Sequence, residues 1–470
     1  MSAVEEQAAH PKPVARLRFG VLGLIETTGQ SLAAIAPTLT PTLNITVVAG
    51  LAGLGCWMAY LIGTVGVAIV GASIGILAAR HPETGSYFIY IGRTFGPFAG
   101  AMAGWSMISA YVFTGIATTQ TFAIFVGNFL RLAGLPPSPV AIGVAMVLFL
   151  LLVCHAAYRD IRLSARIGLV LEFISVGIII AITALIVRAR GTLYDAAQLD
   201  IAHLHAGSIF SALPFVIFSF VGFESAAVLA RESANPRRNI PLAVTRSAAA
   251  CGIFFTITAY CMVLGVDNDT TALGNSSAPF ADAAARAGLA SVSMLVYFAA
   301  MISVFACGLA SINAGSRLLF SMGKYRFLHP SMGSIHEAHR TPHVAVVLCS
   351  LLVAAISLGT LPLGILNAFG YCGTFASFSF VGVYLMLCIV APLDLRRAGE
   401  QRVRHVVVGL AGAALMLFVI GGSLYPVPAW PYNILPFLFF GYLLAGALWF
   451  ARLRARAPDI LASIQHDMES

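Results

Sequence analysis

Long apolar runs separated by short clusters of charge, proline and glycine repeat along the whole chain. A helix needs about 20 mostly apolar residues to cross the roughly 30 Å hydrocarbon core of a bilayer. Twelve runs are of that order: 19–52, 55–79, 95–130, 138–157, 164–189, 208–232, 241–266, 289–323, 342–360, 363–391, 404–424 and 429–452. The first is too long for one straight crossing.

Lysine and arginine orient these runs, because loops that stay in the cytoplasm carry the positive excess. With both termini inside, all but four of the 27 Lys and Arg fall on inner segments; the four are Arg131, Arg188, Arg190 and Arg286. Asp195, Asp200, Asp267, Asp269 and Asp282 share the outer loops with them. An even number of crossings follows, since a missed span would invert the alternation downstream.

Composition agrees. The chain has 470 residues, 59% hydrophobic and only 10% charged, where a soluble domain carries about 25% charged. No polar linker divides it, so one membrane-embedded unit is expected. The net charge of +8 lies in short runs between apolar segments and not along one face, so no nucleic-acid partner is expected. The eight cysteines sit singly with no C-x-x-C, which gives no disulfide framework or zinc site. Residues 1–18 are polar, with Lys12, Arg16 and Arg18 ahead of the first apolar run and no A-x-A site after it. An uncleaved cytoplasmic tail is expected.

Breaks in a helix at membrane depth are tolerated only where they are enclosed or line a cavity, which makes them pointers to a transport site. The first run contains Ala36-Pro37-Thr38-Leu39-Thr40-Pro41, and each proline removes an N–H and crowds the preceding turn. The sixth contains Phe218-Ser219-Phe220-Val221-Gly222-Phe223-Glu224-Ser225 downstream of Pro214. If spans one to five and six to ten are two copies of one unit, both breaks fall on the first span of a copy. Half-helices meeting there expose amides on one side and carbonyls on the other, a receptor for a carboxylate and an ammonium. The alternative is that the prolines merely kink continuous helices.

Three stretches resemble the amino acid/polyamine/organocation (APC) superfamily of secondary transporters. One is Phe220-Val221-Gly222-Phe223-Glu224 followed by Glu232, Asn235-Pro236, Arg238 and Ile240-Pro241. A second is Arg80-His81-Pro82-Glu83-Thr84-Gly85-Ser86-Tyr87-Phe88-Ile89-Tyr90 with Gly96-Pro97, Gly100 and Gly104-Trp105. The third is Ala310-Ser311-Ile312-Asn313-Ala314-Gly315-Ser316-Arg317, leading to Lys324 and Pro330. The resemblance implies an all-α membrane fold of 12 transmembrane helices: a five-plus-five inverted repeat, broken helices 1 and 6, two C-terminal helices, and alternating access at a central site. On this reading, residues 1–18 are the N-terminal tail, 19–189 the first repeat, 190–391 the second, 392–455 the last two spans and 456–470 the C-terminal tail.

The sequence departs from that pattern in two places. The first break is often glycine-rich in the superfamily, whereas Pro37, Thr38 and Pro41 stand here. Thr38 or Thr40 then replaces a backbone donor, or the substrate head group differs from a plain α-amino carboxylate. Sodium-independent members carry a lysine on the fifth span; that place falls near Ser175, and no lysine lies in the span. Either Na+ occupies the space, with Ser303 and nearby carbonyls as ligands, or H+ on a nearby carboxylate serves instead.

Few charges fall within the spans, and each is costly there unless it faces protein or water. Glu224 follows the second break and either exchanges a proton or accepts bonds from amides of the first or seventh span. Glu172 is buried against another span or, the reading preferred, snorkels toward the cytoplasmic interface. For Glu26, near the inner start of span one, a solvated position is preferred over an arginine pair. Phe218, Phe220, Phe223, Tyr111 and Tyr371 are candidate walls of a substrate cavity. Gly96, Gly100 and Gly104 are read as packing positions.

The candidate substrate-binding set is therefore Ala36, Pro37, Thr38, Thr40, Phe218, Ser219, Phe220, Gly222, Phe223, Tyr111 and Tyr371. The coupling set is Glu224, Glu172, Ser175 and Ser303. No H-E-x-x-H or Ser-His-Asp grouping argues for a membrane transferase, no charge ring argues for a channel, and no P-loop argues for ATP drive. The expectation is a permease for an amino acid or related amine, proton- or sodium-coupled, with an exchanger as alternative. It needs no cofactor beyond the coupling ion, and a bilayer of prokaryotic inner-membrane type is expected to hold it as a monomer or homodimer.

Overall fold

The computed structural model describes residues 17–82, 86–425 and 427–456. Tail residues 1–16 and 457–470 and the Glu83-Thr84-Gly85 part of the second motif lie outside the described residues.

The chain runs through α1 (Leu24–Ile35), a π-helical turn (Thr40–Asn44), α2 (Ile45–Ala52), α3 (Cys56–Arg80), α4 (Ser86–Phe95) and α5 (Pro97–Leu132). Then come α6 (Pro139–Arg159), α7 (Ile161–Arg190), the short α8 (Ala196–Leu199), α9 (Ala206–Phe218) and a 3-10 helix (Ser225–Glu232). The rest is α10 (Pro236–Gly265), the short α11 (Thr270–Gly274) and α12 (Pro279–Arg286), α13 (Ser293–Lys324), α14 (His343–Gly359), α15 (Ile365–Arg397), α16 (Val403–Leu424) and α17 (Leu435–Arg456). The only β pairing among the described residues is an isolated bridge between Leu22 and Ser233.

Among the described residues, ten helical stretches are long and apolar enough to cross a membrane, against twelve runs read from the sequence. Runs 19–52 and 55–79 fall in one 57-residue stretch, Leu24–Arg80, because the 3-10 turn Gly53–Gly55 leaves no gap between α2 and α3. Run 208–232 divides into α9, 13 residues long, and the 3-10 helix. Neither piece is long enough to cross alone. The architecture is that of an all-helical, multi-pass membrane protein.

Burial separates an inner from an outer layer. The most apolar window of α5 is 78% buried, against 28% for α16 and for the stretch containing α17. The side chains follow suit: α5 encloses Ser106, Ser109, Thr114, Thr118, Thr119, Gln120 and Thr121, while α6 exposes Val144, Leu148, Leu151 and Leu152. A helix surrounded by protein can satisfy hydroxyls locally, as Thr114, Thr118, Thr119 and Thr121 do on carbonyls three or four residues back. A lipid-facing helix needs an apolar outer surface.

Packed around α5 are α13 and α15, while α3 lies along α10. A Cβ at Gly100 would come within 2.5 Å of the Phe88 carbonyl oxygen, and one at Gly104 within 2.8 Å of the Met322 sulfur. Both glycines thus set the approach of α5 to its neighbours. At Gly96, with φ +90°, a Cβ would meet nothing within 4 Å; that glycine serves the turn into α5.

Candidate functional site

Pro37 ends α1. Its ring disfavours helical geometry for the residue before it, and Ala36 adopts a left-handed conformation with φ 51°. The Ala36 N–H closes the helix on the Leu32 and Ala33 carbonyls, both at 3.2 Å. Pro41, four residues on, offers no N–H to the Pro37 carbonyl, and the chain widens into the π turn at Thr40–Asn44. Thr42 Oγ1 takes up a carbonyl by donating to Thr38 O at 2.7 Å. Thr38 Oγ1 points away from its own helix and donates to Ser175 Oγ at 2.9 Å. Thr40 is buried, and its hydroxyl has no partner among the described residues.

The second interruption follows Phe218. Residues 219–224 form successive turns with bonds such as Phe220 N–H to Ile217 O (2.9 Å) and Ser225 N–H to Gly222 O (2.9 Å). Gly222 has φ +91°, which L side chains rarely adopt, and a Cβ there would lie 2.9 Å from both Ala34 Cβ and Ala34 O. The two interruptions therefore touch: the last turn of α1 rests on the bare backbone of Gly222. Alongside, Ser225 Oγ donates to Gln30 O at 3.2 Å and Gln30 Nε2 to Ala310 O at 2.9 Å. Phe220 packs on Phe255 and Phe223 on Tyr384, and Ser219 Oγ lies 3.3 Å from Tyr60 Oη.

Glu224 is fully buried, and its partners differ from the expected amides of the first or seventh span. Tyr111 Oη of α5 donates to one carboxyl oxygen at 3.0 Å and Tyr384 Oη of α15 to the other. Tyr87 Oη donates to the Glu224 carbonyl at 2.7 Å. Tyr111 thus meets the second break through Glu224. Tyr371 does not join it: its ring packs on Tyr432, 5.1 Å between centroids, because it lies on a different face of α15 from Phe369 and Gly373. Those two are the residues that meet Phe218.

The preferred reading of Glu172 is overturned. Its side chain is buried and does not snorkel: Ser303 Oγ of α13 lies 2.9 Å from both carboxyl oxygens, and Ser175 Oγ 3.3 Å from one. With Thr38 on Ser175, one chain of hydroxyls joins the first interruption to α7 and α13. Glu26 is also corrected. It is nearly buried and pairs with Arg166 at 2.9 Å and Arg162 at 3.6 Å.

Three partners escaped the sequence reading although two stand inside the quoted motifs. Tyr87 and Arg317 are motif residues, and Tyr384 is not. Arg317 holds Glu232 through two bonds, 2.5 Å from Nε and 3.0 Å from Nη2, with both side chains fully buried. A long-range pair leaves no periodicity in the sequence. The one available signal was a charge at membrane depth on each of two segments.

The chain matches the amino acid permease family over residues 28–427. It is 28% identical to an uncharacterized transporter of Mycobacterium tuberculosis, over 78% of this chain and 79% of that protein. It is 24% identical to the branched-chain amino acid permease BcaP of Bacillus subtilis, over 83% and 85%. With the low-affinity putrescine importer PlaP of Escherichia coli it shares 26% identity over 77% and 79%. A match this long, on a helical membrane architecture, shows that the chain belongs to the amino acid permease family.

Proposed function

We propose that this permease, a transporter and not an enzyme, is a secondary active carrier of an amino acid or related amine that works by alternating access. The observation that carries the reading is the contact of Gly222 with Ala34, which brings two helix interruptions together in the buried centre of the bundle. Backbone at Ala36, Pro37, Thr38 and Thr40 faces one side of the site, and Phe218, Ser219, Phe220, Gly222 and Phe223 the other. Ends of half-helices offer partial charges of both signs there, which suits a small solute bearing an ammonium. The names of BcaP and PlaP, one for amino acids and one for a diamine, bracket the same chemistry.

The proposed topology is twelve crossings as a five-plus-five inverted repeat plus two, with both termini cytoplasmic in a prokaryotic inner membrane. Leu24–Arg80 contributes two crossings, and α9 with the 3-10 helix contributes one. The charge asymmetry of the loops supports it.

Coupling is assigned to Glu172 with Ser175 and Ser303. One carboxylate and hydroxyl oxygens form an all-oxygen donor set, suited to a proton or a hard cation such as Na+. Thr38 links that set to the first interruption, so its occupancy bears on the geometry of the site. Glu224, held by Tyr111 and Tyr384, positions the second interruption.

Uptake into proteoliposomes under separate sodium and proton gradients, across the common amino acids, amines and polyamines, tests the proposal. Saturable uptake that follows one gradient is expected; uptake requiring a solute inside and no gradient identifies an exchanger. Lack of saturable uptake for every solute overturns the proposal.

A further inference from the structure

Away from the helix interruptions, a cavity of about 450 Å³ lies where separate stretches of chain meet. Ile124, Asn128 and Arg131 of α5, Ile142 of α6, and Leu361 and Ile365 around the α14–α15 connection line it. Its floor is aliphatic. Ser277 of the α11–α12 connection joins its wall, and its other polar side chains, Asn128 and Arg131, lie within four residues of Leu132 at the end of α5.

Two observations show that Asn128 and Arg131 lack a protein partner. Asn128 Nδ2 is buried and has no hydrogen-bond partner among the described residues. Arg131 is exposed and makes no ion pair among them, whereas Arg286 pairs with Asp269 and Arg190 with Asp267. An unpaired guanidinium beside an unused amide is a receptor for an anion with several acceptor oxygens.

The rim fixes what kind of anion. Leu366 of the lining is a large apolar side chain left exposed, and so are Leu132, Leu135, Val140 and Leu363, each within two residues in sequence of a lining residue. Facing water, each would forgo a stabilisation of about 1.5–3 kcal/mol; facing acyl chains, none would. The cavity therefore opens toward hydrocarbon, with Arg131 at the level where a spanning helix ends and lipid headgroups begin.

We infer that this cavity is a binding site for an acidic phospholipid: one acyl chain fills the aliphatic floor, and Arg131 and Asn128 hold the phosphate. A soluble anion would use the polar end alone and leave the floor empty.

The full-length protein, purified in detergent and incubated with micelles containing phosphatidylglycerol or phosphatidylcholine, tests this by native mass spectrometry. Both lipids present a phosphate, but the choline cation of phosphatidylcholine is repelled by Arg131, so wild type is expected to retain phosphatidylglycerol about tenfold better, the scale of one charge-assisted contact. Arg131→Gln, an exposed change, removes that preference, and Ile365→Trp, which fills the floor, lowers retention of both lipids. Soluble glycerol phosphate displaces neither lipid. Equal retention of the two lipids by wild type, an unchanged preference in Arg131→Gln, or displacement by glycerol phosphate overturns the inference; the last would make the site one for a free anion. None of these readouts depends on transport.

Discussion

Glu232 and Arg317 face each other across the gap between the 3-10 helix and α13, joined by two bonds and shielded entirely from solvent. Arg317 Nη1 also donates to Asn313 O at 3.1 Å, while the Glu232 carbonyl accepts the Leu22 N–H at 2.9 Å. The pair thus ties the segment before α1, the 3-10 helix and α13 at one point. Removing one member leaves a buried charge without its counter-ion, which costs about 3–5 kcal/mol. Arg317→Met and Glu232→Leu should each lower the thermal unfolding temperature in detergent markedly, and the double variant should recover most of the loss. A double variant as unstable as the sum of the singles would show that the two act separately.

Between α10 and α13, outside the spans, the Ala272 N–H and the Arg286 guanidinium hold the Asp269 carboxyl below the usual carboxylate range. A depressed folded value means that the stabilisation is present above the unfolded value of about 4 and is lost as pH falls through the folded one. Protection of the α11 and α12 amides, taken relative to the intrinsic exchange rate at each pH, should therefore fall below about pH 4, and Asp269→Asn should remove that pH dependence. Wild-type protection that stays constant across this window contradicts the assignment.

At Glu224, two hydroxyl donors share two carboxyl oxygens. An amide keeps one acceptor oxygen, so Glu224→Gln strands one tyrosine hydroxyl at a cost of about 1–3 kcal/mol. Uptake should fall by about tenfold or more while its pH profile keeps its shape, and Tyr384→Phe should fall less. A flattened profile in Glu224→Gln would move the coupling role from Glu172 to Glu224.

Glu172→Gln is expected to abolish gradient-driven accumulation while exchange of labelled for unlabelled substrate continues, because the amide neither takes up a proton nor supplies the negative charge that balances a bound cation. Ser303→Ala, which removes the hydroxyl near both oxygens, should give partial uncoupling. Accumulation at the wild-type level by Glu172→Gln under the same imposed gradient would place coupling elsewhere.

Much of this architecture is written locally. Apolar run length, the Pro37/Pro41 spacing and the glycine in Phe220-Val221-Gly222-Phe223 each act within one or two turns, so they are legible in one dimension. The span count is blurred where local signals compete: the 3-10 turn Gly53–Gly55 joins α2 to α3, so two apolar runs read as the single stretch Leu24–Arg80. Glu172 was misplaced for a different reason. Whether a carboxyl snorkels or stays inside depends on what faces it, and Ser303 lies 131 residues away. That Tyr371 packs on Tyr432 and Phe369 on Phe218 is equally unreadable in one dimension, since the face of α15 that meets Phe218 is set by rotation of the helix against α9. A helix such as α5, most of whose apolar window is enclosed by protein, shows no single apolar face and gives no sequence cue to its orientation.

The central claim is that the site exists where α1 rests on the bare backbone at Gly222, and substitution at that contact tests it most directly. A methyl at Gly222 meets Ala34 at 2.9 Å and must also occupy a left-handed conformation, which by itself costs about 1–2 kcal/mol. Uptake in proteoliposomes, normalised to folded protein, should fall by at least about tenfold in Gly222→Ala and recover in part when Ala34→Gly is added. Wild-type uptake by Gly222→Ala would contradict the account.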